Sequence, residues 1–503
     1  MNSLRLNQTI LAFVAGLLAV PGFAPFSFFP LPVFALAVLF VSWLRAENPH
    51  AAAKTGFAFG FGLFGAGIGW IYVALHDYGD MPLLLALPAT ALFAAFIALF
   101  PALVGYAQAK LRAPAWASVL LVMPALWVLI EWLRGMIFTG FPWLTLGYAH
   151  SDSPLAGYAP LLGVYGVSLA AAMSAGLLAW LYDVGVSHAR DKKYRGHGPL
   201  LQLMLIGIIW IIGALLRTVS WTQAHGEPFT VALVQGNIAQ ELKFNEDALV
   251  GTLETYRRLA LQSEARLTVL PETALPLLRN EIPPSLLEQL RDHAKQNGGD
   301  MLIGSFERND GSYYNSVFTL GAADEQHYRK QHLVPFGEFI PMRPLIGWFI
   351  NEVLNIPMGD LGRGDKQQAP LSIAGQRVAA NICYEDVFGE EIIRALPQAT
   401  LLVNVTNDAW YGHSHAAAQH NQIAQMRALE SGRMMLRATN TGVTSIIGVD
   451  GKLLQQLPQN QEGVLLGMAQ GYDGVTPYAR WGNTAVLLLI ALMLASAWGL
   501  RRR

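Results

Sequence analysis

Three side chains of the kinds that carry out acyl transfer follow one another along this chain: Glu272, Lys330 and Cys383. Each stands where an apolar run of β type gives way to a turn. Cys383 is the only cysteine in 503 residues, so it has no partner for an internal disulfide. The run Val378–Ile382 ends at it, and Asp386–Arg394 beyond it has helical spacing with acidic residues in its first turn. That pattern predicts a strand-to-helix turn with the sulfur at the junction. The free N–H groups and partial positive charge of a helix start favour a thiolate there and could hold an oxyanion. The plain alternative is a buried cysteine acting as a small hydrophobe. Glu272 leaves the run Leu267–Pro271, while Lys330 and Glu338 bracket the turn Pro335–Gly337. Taken singly, Glu272 reads as a helix cap and Lys330 as an edge-strand lysine. Together, carboxylate, ammonium and thiol supply a base, an oxyanion stabiliser and a nucleophile.

The elements that must position them lie between residues 228 and 471, where short β-branched runs alternate with amphipathic stretches in the manner of a layered α/β domain. Strands are predicted at 229–235, 266–270, 301–305, 314–319, 327–333, 376–382, 400–405, 443–448 and 463–467, and helices at 244–263, 284–297, 386–395 and 416–432. Arg427, Glu430, Arg433 and Arg437 recur at helical intervals and read as a polar helix face, with Glu430 and Arg433 as a local ion pair. His413, His415 and His420 match no zinc spacing, and no paired cysteines accompany them, so no metal is expected. The stretch 344–358 is apolar for a loop, and reads either as a membrane-facing cover or as a buried core helix.

Outside that domain the composition changes. The whole chain is 53% hydrophobic and 14% charged, well below the roughly 25% charged residues of a soluble domain. The excess is concentrated in apolar runs at 9–25, 28–44, 56–75, 82–108, 115–133, 158–182, 200–217 and 482–499. They predict a polytopic α-helical membrane domain of about eight transmembrane helices. Helices one to seven occupy 1–220, the α/β domain 228–471, and the last helix with a basic tail 480–503. Arg45, Lys54, Lys110, Arg112, Arg190, Lys192, Lys193, Arg195 and Arg501–Arg503 all fall on one side of this path, which puts both termini in the cytoplasm and the α/β domain outside. The net charge of −1 and the lack of a basic patch give no sign of nucleic-acid binding. Glu131 and Arg134 close the fifth apolar run, either as functional groups or as a structural pair, and 139–166 is dense enough in Pro, Gly and aromatics to predict a folded segment.

The order Glu272, Lys330, Cys383 resembles the Glu-Lys-Cys triad of the nitrilase, or carbon-nitrogen hydrolase, superfamily, and Val231–Asn237 is similar to its first strand. Thr139–Trp143, Leu333–Glu338, Cys383–Glu385 and Asn407–Gly412, with seven helices before the α/β domain and one after it, resemble the bacterial apolipoprotein N-acyltransferase family over essentially the whole chain. The resemblance implies a nitrilase-like α-β-β-α sandwich facing the periplasm, carried by a multi-pass protein of the bacterial inner membrane. It implies an acyl donor that is a phospholipid, typically the sn-1 chain of phosphatidylethanolamine, and an acceptor that is the α-amino group of the diacylglyceryl-cysteine of an apolipoprotein. The carried-over residues are Glu272, Lys330 and Cys383 as the triad, with Glu338, Tyr384 and Glu385 supporting it. A thioester on Cys383 and ping-pong kinetics follow, and the chemistry calls for no cofactor. The pair Lys243-Phe244 departs from the Lys-Trp expected of the family. A membrane-tethered amidase would need the same triad. A transporter would instead need ionisable residues in mid-helix and internal repeats, which the helical region lacks.

Overall fold

The computed structural model describes residues 2–190, 198–243, 245–341 and 360–500. Phe244 and the apolar stretch at 344–358 lie outside the described residues. The chain divides into two compact units, one of Met1–Tyr72, Pro82–Ser220 and Arg480–Arg503, the other of Trp221–Ala479 together with Val73–Met81.

The first unit is helical. Among the described residues, Leu83–Leu111, Ala115–Arg134 and Pro154–Asp183 are long and apolar enough to cross a membrane, and Gln8–Gly22, Pro30–Leu44, Leu200–Leu216 and Thr484–Gly499 are shorter apolar helices. The run expected at 56–75 is divided between the helices Pro49–Gly67 and Ile71–His76, with Gly67 and Gly69 at the break. Small residues let these helices approach closely: a Cβ on Gly16 would stand 2.1 Å from the Phe59 carbonyl oxygen. The segment after Arg134 is folded into short 3-10 turns, Ile137–Thr139, Leu146–His150 and Pro154–Tyr158. Arg134 and Glu131 hold it. The guanidinium donates to the Trp143 carbonyl at 2.7 Å and to Thr145 Oγ1 at 3.2 Å, and Glu131 Oε1 accepts from the Leu146 N–H at 2.8 Å and from Trp127 Nε1 at 3.1 Å. Each side chain therefore satisfies backbone of the irregular segment that would otherwise be buried unpaired.

The second unit is built on two six-stranded sheets. The strands are β1 Gln223–Gln235, β2 Leu267–Val269, β3 Asp300–Asn309, β4 Ser312–Gly321, β5 His327–Arg329, β6 Leu371–Ile373, β7 Gln376–Ile382, β8 Leu401–Thr406, β9 Met435–Thr439, β10 Ser445–Ile447, β11 Leu453–Gln456 and β12 Gly463–Asp473. The orders are β12-β1-β2-β3-β4-β5 and β11-β10-β9-β8-β7-β6. β1, β2 and β3 run parallel in one sheet, and β7, β8 and β9 in the other. Parallel strands covered on both faces are apolar throughout. Here Val231, Leu233, Val269 and Leu302 meet Val378, Ile382, Val403 and Leu436 in one core between the sheets. The helices Glu246–Leu261 and Pro284–Gln296 pack Tyr256, Leu259, Leu287 and Leu290 on the outside of the first sheet. The helix Ala416–Ser431 lays Ala424 and Ala428 on Leu402 and Met435 of the second. The result is the expected α-β-β-α sandwich.

Two local expectations are corrected. The run 427–437 is not one helix face: Gly432 takes φ 62° and ends the helix, after which the chain reverses into β9 with Arg437 in its middle. Arg427, Arg433 and Arg437 are all buried, and Glu430 pairs with Arg427 at 2.9 Å rather than with Arg433. The stretch 386–395 is likewise not a single helix. It breaks into the 3-10 turn Cys383–Val387, the single turn Gly389–Ile392 and a second 3-10 turn Ile393–Ala395.

Candidate active site

Glu272 stands two residues past Leu270, which still pairs with β3 through Leu302. The turn that carries it fits because β3 has glycine beside it: a Cβ on Gly304 would lie 2.3 Å from the Pro271 carbonyl oxygen and 2.9 Å from the Glu272 Cα. The carboxylate is buried and each oxygen is used. Oε1 accepts from Asn315 Nδ2 at 2.7 Å and lies 3.3 Å from Lys330 Nζ, while Oε2 accepts from the Asn407 backbone N–H at 2.8 Å. Burial pushes the Glu272 carboxyl up, but the charges of Lys330 and Lys243, with the Asn315 and Lys330 hydrogen bonds, bring it below the ordinary value.

Lys330 continues the β4–β5 pairing by one bond, its N–H donating to the Asn315 carbonyl at 2.8 Å. Its side chain is 1% exposed, and its Nζ reaches Glu338 Oε1 at 2.9 Å. Burial works against the ammonium, yet Glu272 and Glu338 hold its pKa well above the ordinary lysine value. Glu338 is brought back by a tight turn in which Phe336 takes φ 60° and donates its N–H to the Phe339 carbonyl. Glu338 Oε2 accepts from the Val334 N–H at 2.8 Å, and Oε1 also accepts from Asn315 Nδ2 at 3.1 Å.

Cys383 ends β7 in the left-handed region, at φ 54°, a conformation that costs a residue with a Cβ on the order of 1–2 kcal/mol. Its carbonyl accepts from Asn404 Nδ2 at 3.1 Å. The thiol is buried, and burial, reinforced by the Glu272 charge, pushes its pKa far up; Lys330 opposes this without cancelling it. The expectation of a thiolate favoured by a helix start is therefore corrected. A five-residue 3-10 turn has little dipole to offer, and burial favours the neutral thiol instead.

Glu385, two residues on, ties this turn to the Lys330 strand. Its Oε1 accepts from the N–H groups of Gln331 and His332 at 2.7 and 3.0 Å, its Oε2 from Ile382 N–H at 2.7 Å, and both lie 3.0 Å from the Tyr328 hydroxyl. Burial pushes its carboxyl up to about 7 against those backbone bonds. Tyr384 is buried with its ring edge-on to Phe388 at 5.2 Å and to His332 at 6.0 Å.

Several groups around Glu272 were not legible as site residues. Asn315 bridges Glu272 and Glu338, and Asn407 orients Glu272 through its backbone. Lys243, buried at the end of the short helix Gln240–Lys243, donates to the Glu272 carbonyl at 2.9 Å; burial pushes its pKa down to about 8 although Glu272 and Cys383 oppose this. The signal that could have found the asparagines is a polar amide inside an otherwise apolar strand, as at Asn315, Asn381 and Asn404. His420, set aside in sequence with the other histidines, sits buried between two aspartates.

Residues 15–177 match the family described as apolipoprotein N-acyltransferase N-terminal domain, and residues 230–471 match carbon-nitrogen hydrolase. A protein named apolipoprotein N-acyltransferase from Nitrosomonas europaea is 51% identical over 493 residues, covering 97% of this chain and 96% of its own. One of the same name from Methylococcus capsulatus is 42% identical over 504 residues, covering 99% and 97%. Among solved structures, a CN-hydrolase superfamily protein from Xanthomonas campestris aligns with 53% of this chain and 97% of its own at 17% identity, with a TM-score of 0.36.

Proposed function

This chain belongs to the apolipoprotein N-acyltransferase family, and from that premise we propose that it moves a fatty acyl chain from a membrane phospholipid to the α-amino group of a lipoprotein's N-terminal diacylglyceryl-cysteine. It is an acyltransferase of lipoprotein N-acylation. The finer reading names the sn-1 chain of phosphatidylethanolamine as donor, Cys383 as nucleophile, Glu272 as base and Lys330 as oxyanion stabiliser. The observation that carries it is the buried Glu272 carboxyl group, held by Asn315 at 2.7 Å and standing 3.3 Å from the Lys330 ammonium, which favours its charged form beside the Cys383 thiol.

With a thiol whose pKa is raised, proton transfer to Glu272 accompanies attack rather than preceding it. As Sγ bonds to the ester carbonyl carbon, its proton passes to Glu272, and the new oxyanion is met by the Lys330 ammonium and the N–H groups at Tyr384. The intermediate collapses by breaking the bond to the glycerol oxygen, which takes the proton from Glu272 and leaves as lysophospholipid. A thioester remains on Cys383. In the second half the amine attacks that thioester, Glu272 takes a proton from the amine, and the sulfur leaves and takes that proton from Glu272, restoring the thiol and the carboxylate. Glu338 anchors Lys330, and Glu385 anchors the Cys383 turn.

The loop charges favour eight membrane passes with residues 228–471 on the outer face of the bacterial inner membrane, where lipoproteins and phospholipid headgroups are both at hand. The test is the acyl-enzyme itself. Purified protein given phosphatidylethanolamine and no acceptor should gain the mass of one acyl chain at Cys383, released by hydroxylamine and discharged by a diacylated peptide with a free amino terminus. Rapid loss of the acyl group to water would instead mark an amidase-like hydrolase, and loading of a Cys383→Ala protein would remove the nucleophile.

A further inference from the structure

Behind the nucleophile's turn lie four buried charged side chains that the chemistry above does not use. Asp386 belongs to the turn Cys383–Val387, Asp408 begins the 3-10 turn Asp408–Tyr411 after β8, His420 lies on the helix Ala416–Ser431, and Arg437 sits in β9. They close a ring. Asp386 Oδ1 is 2.8 Å from His420 Nε2, and its Oδ2 is 2.7 Å from Arg437 Nη1. Asp408 Oδ1 is 2.8 Å from His420 Nδ1, and its Oδ2 is 3.2 Å from Arg437 Nη2. No side chain in the ring is more than 1% exposed. An ionised carboxylate only accepts hydrogen bonds, so both imidazole nitrogens must donate, and a neutral imidazole has a single N–H. His420 closes the ring only as an imidazolium.

Both flanks of the ring reach the candidate site. On one side Asp386 shares the Cys383 turn, and Arg437 Nη1 also donates to Asn404 Oδ1 at 2.7 Å, while Asn404 Nδ2 donates to the Cys383 carbonyl at 3.1 Å. On the other, Asp408 follows Asn407, whose N–H holds Glu272 Oε2 at 2.8 Å. The ring thus links the backbone of the thiol to the orienting bond of its base.

We propose that His420 is a positioning residue for acyl transfer, which as an imidazolium clamps the Cys383 turn to the Asn407–Asp408 loop and on losing its proton lets nucleophile and base fall out of register. The proposal rests on the roles given above to Cys383 and Glu272. The charged groups that face His420 are Asp386 from the nucleophile's turn, Asp408 from the loop and Arg437 from β9. β10, which packs on the same helix, brings only Ser445, Ile446 and Ile447. Of the acids on Gly389–Ile392, Glu391 is engaged with His332 and Arg394, and on the helix itself Glu430 pairs with Arg427. Burial and the Arg437 charge push the His420 pKa down, but the two aspartates outweigh them and leave it raised. A raised histidine value means the clamp is complete below the ordinary value near 6.5 and is lost as pH rises through the higher folded value. The consequence is an alkaline fall in rate.

The test uses detergent-solubilised full-length protein, with two readouts across neutral to alkaline pH: alkylation of Cys383 by iodoacetamide, and acyl loading from phosphatidylethanolamine. His420→Gln keeps a hydrogen-bonding amide but cannot carry charge. Its loading rate should fall on the order of 10²-fold with the donor KM little changed, since the loss is one of alignment. Its alkylation should slow as well, and neither rate should retain the alkaline fall that the wild type shows at His420. Wild-type rates in His420→Gln, with the same alkaline fall, overturn the proposal. Wild-type protein that never loads but still alkylates counts against the lipid reading alone, because alkylation continues to compare variant with wild type. Should His420→Gln fail to melt cooperatively, histidine-selective ¹⁵N spectra of the wild type decide. One imidazole of the twelve must keep both nitrogens protonated after the others have lost theirs, and its absence overturns the clamp.

Discussion

Glu338 holds the Lys330 ammonium more closely than Glu272 does, at 2.9 Å against 3.3 Å. The Glu338 carboxylate thus competes with Glu272 for the ammonium. Glu338→Gln keeps one oxygen for Lys330 but puts an NH₂ where Oε2 accepts from the Val334 N–H and removes the charge, so Lys330 should close on Glu272 and lower its basicity. Acyl loading should fall by roughly 10–10²-fold with the donor KM little affected. Single-turnover loading by mass spectrometry checks this, and an unchanged rate would show that Glu338 only fills space.

A second expectation concerns pH. Burial raises the Glu272 carboxyl, but Lys330 first and Lys243 next overcome it, leaving the folded value low. Stability from this group is therefore full above the unfolded value near 4.3 and is lost as pH falls through the lower folded value. Loading should show no acid limb from Glu272 in the range of ordinary carboxylates. Lys243→Met removes one of the two cations, so the limb should move to higher pH. A profile unmoved in Lys243→Met would mean that Lys243 serves only the Glu272 carbonyl.

The third rests on backbone strain. Cys383 at φ 54° carries a Cβ where glycine would carry none. Cys383→Gly and Cys383→Ala should both fail to load, but the glycine variant should be the more stable by about 1 kcal/mol. Equal melting temperatures would place no strain at Cys383.

In the helical unit, Arg134→Met would leave the Phe141 and Trp143 carbonyls and Thr145 Oγ1 without their donor. A loss of about 3 kcal/mol or more is expected, read as a lowered melting temperature in detergent. Arg134→Lys should restore little, since one ammonium cannot span three acceptors as a planar fork does.

Finally, a phosphatase that works only outside the cytoplasm should be active when fused within 228–471 and silent after residue 503. The reverse pattern would overturn the orientation argued from the loop charges.

Much of this was legible before the fold was known, because strand exits announce themselves. Pro271 before Glu272, the Pro335–Gly337 turn before Glu338 and the end of an apolar run at Cys383 are local signals with local causes. What escaped was whatever depended on neighbours distant in sequence. Arg437 has helical spacing from Arg433 and Glu430, and only the left-handed turn at Gly432 shows that it belongs to a strand. Asn315 meets Glu272 across 43 residues and Asn404 meets Cys383 across 21, distances over which no periodicity speaks. The direction in which the thiol's pKa is pushed escaped for a similar reason: the turn was visible, but the burial that raises it was not.

The antiparallel pairing of β1 with β12 sets Gln223 opposite Asp473, so the chain comes into the sandwich and goes out of it through adjacent strands. Topologically the sandwich is a loop closed by a clasp, and a stretch closed this way can be lifted from one host chain and grafted into another at a single seam. One piece would stay behind. Val73–Met81 belongs to the same compact unit, with Tyr78 edge-on to Trp410 at 6.4 Å, so a graft cut at the seam would bring a bare Trp410 beside the loop that orients Glu272.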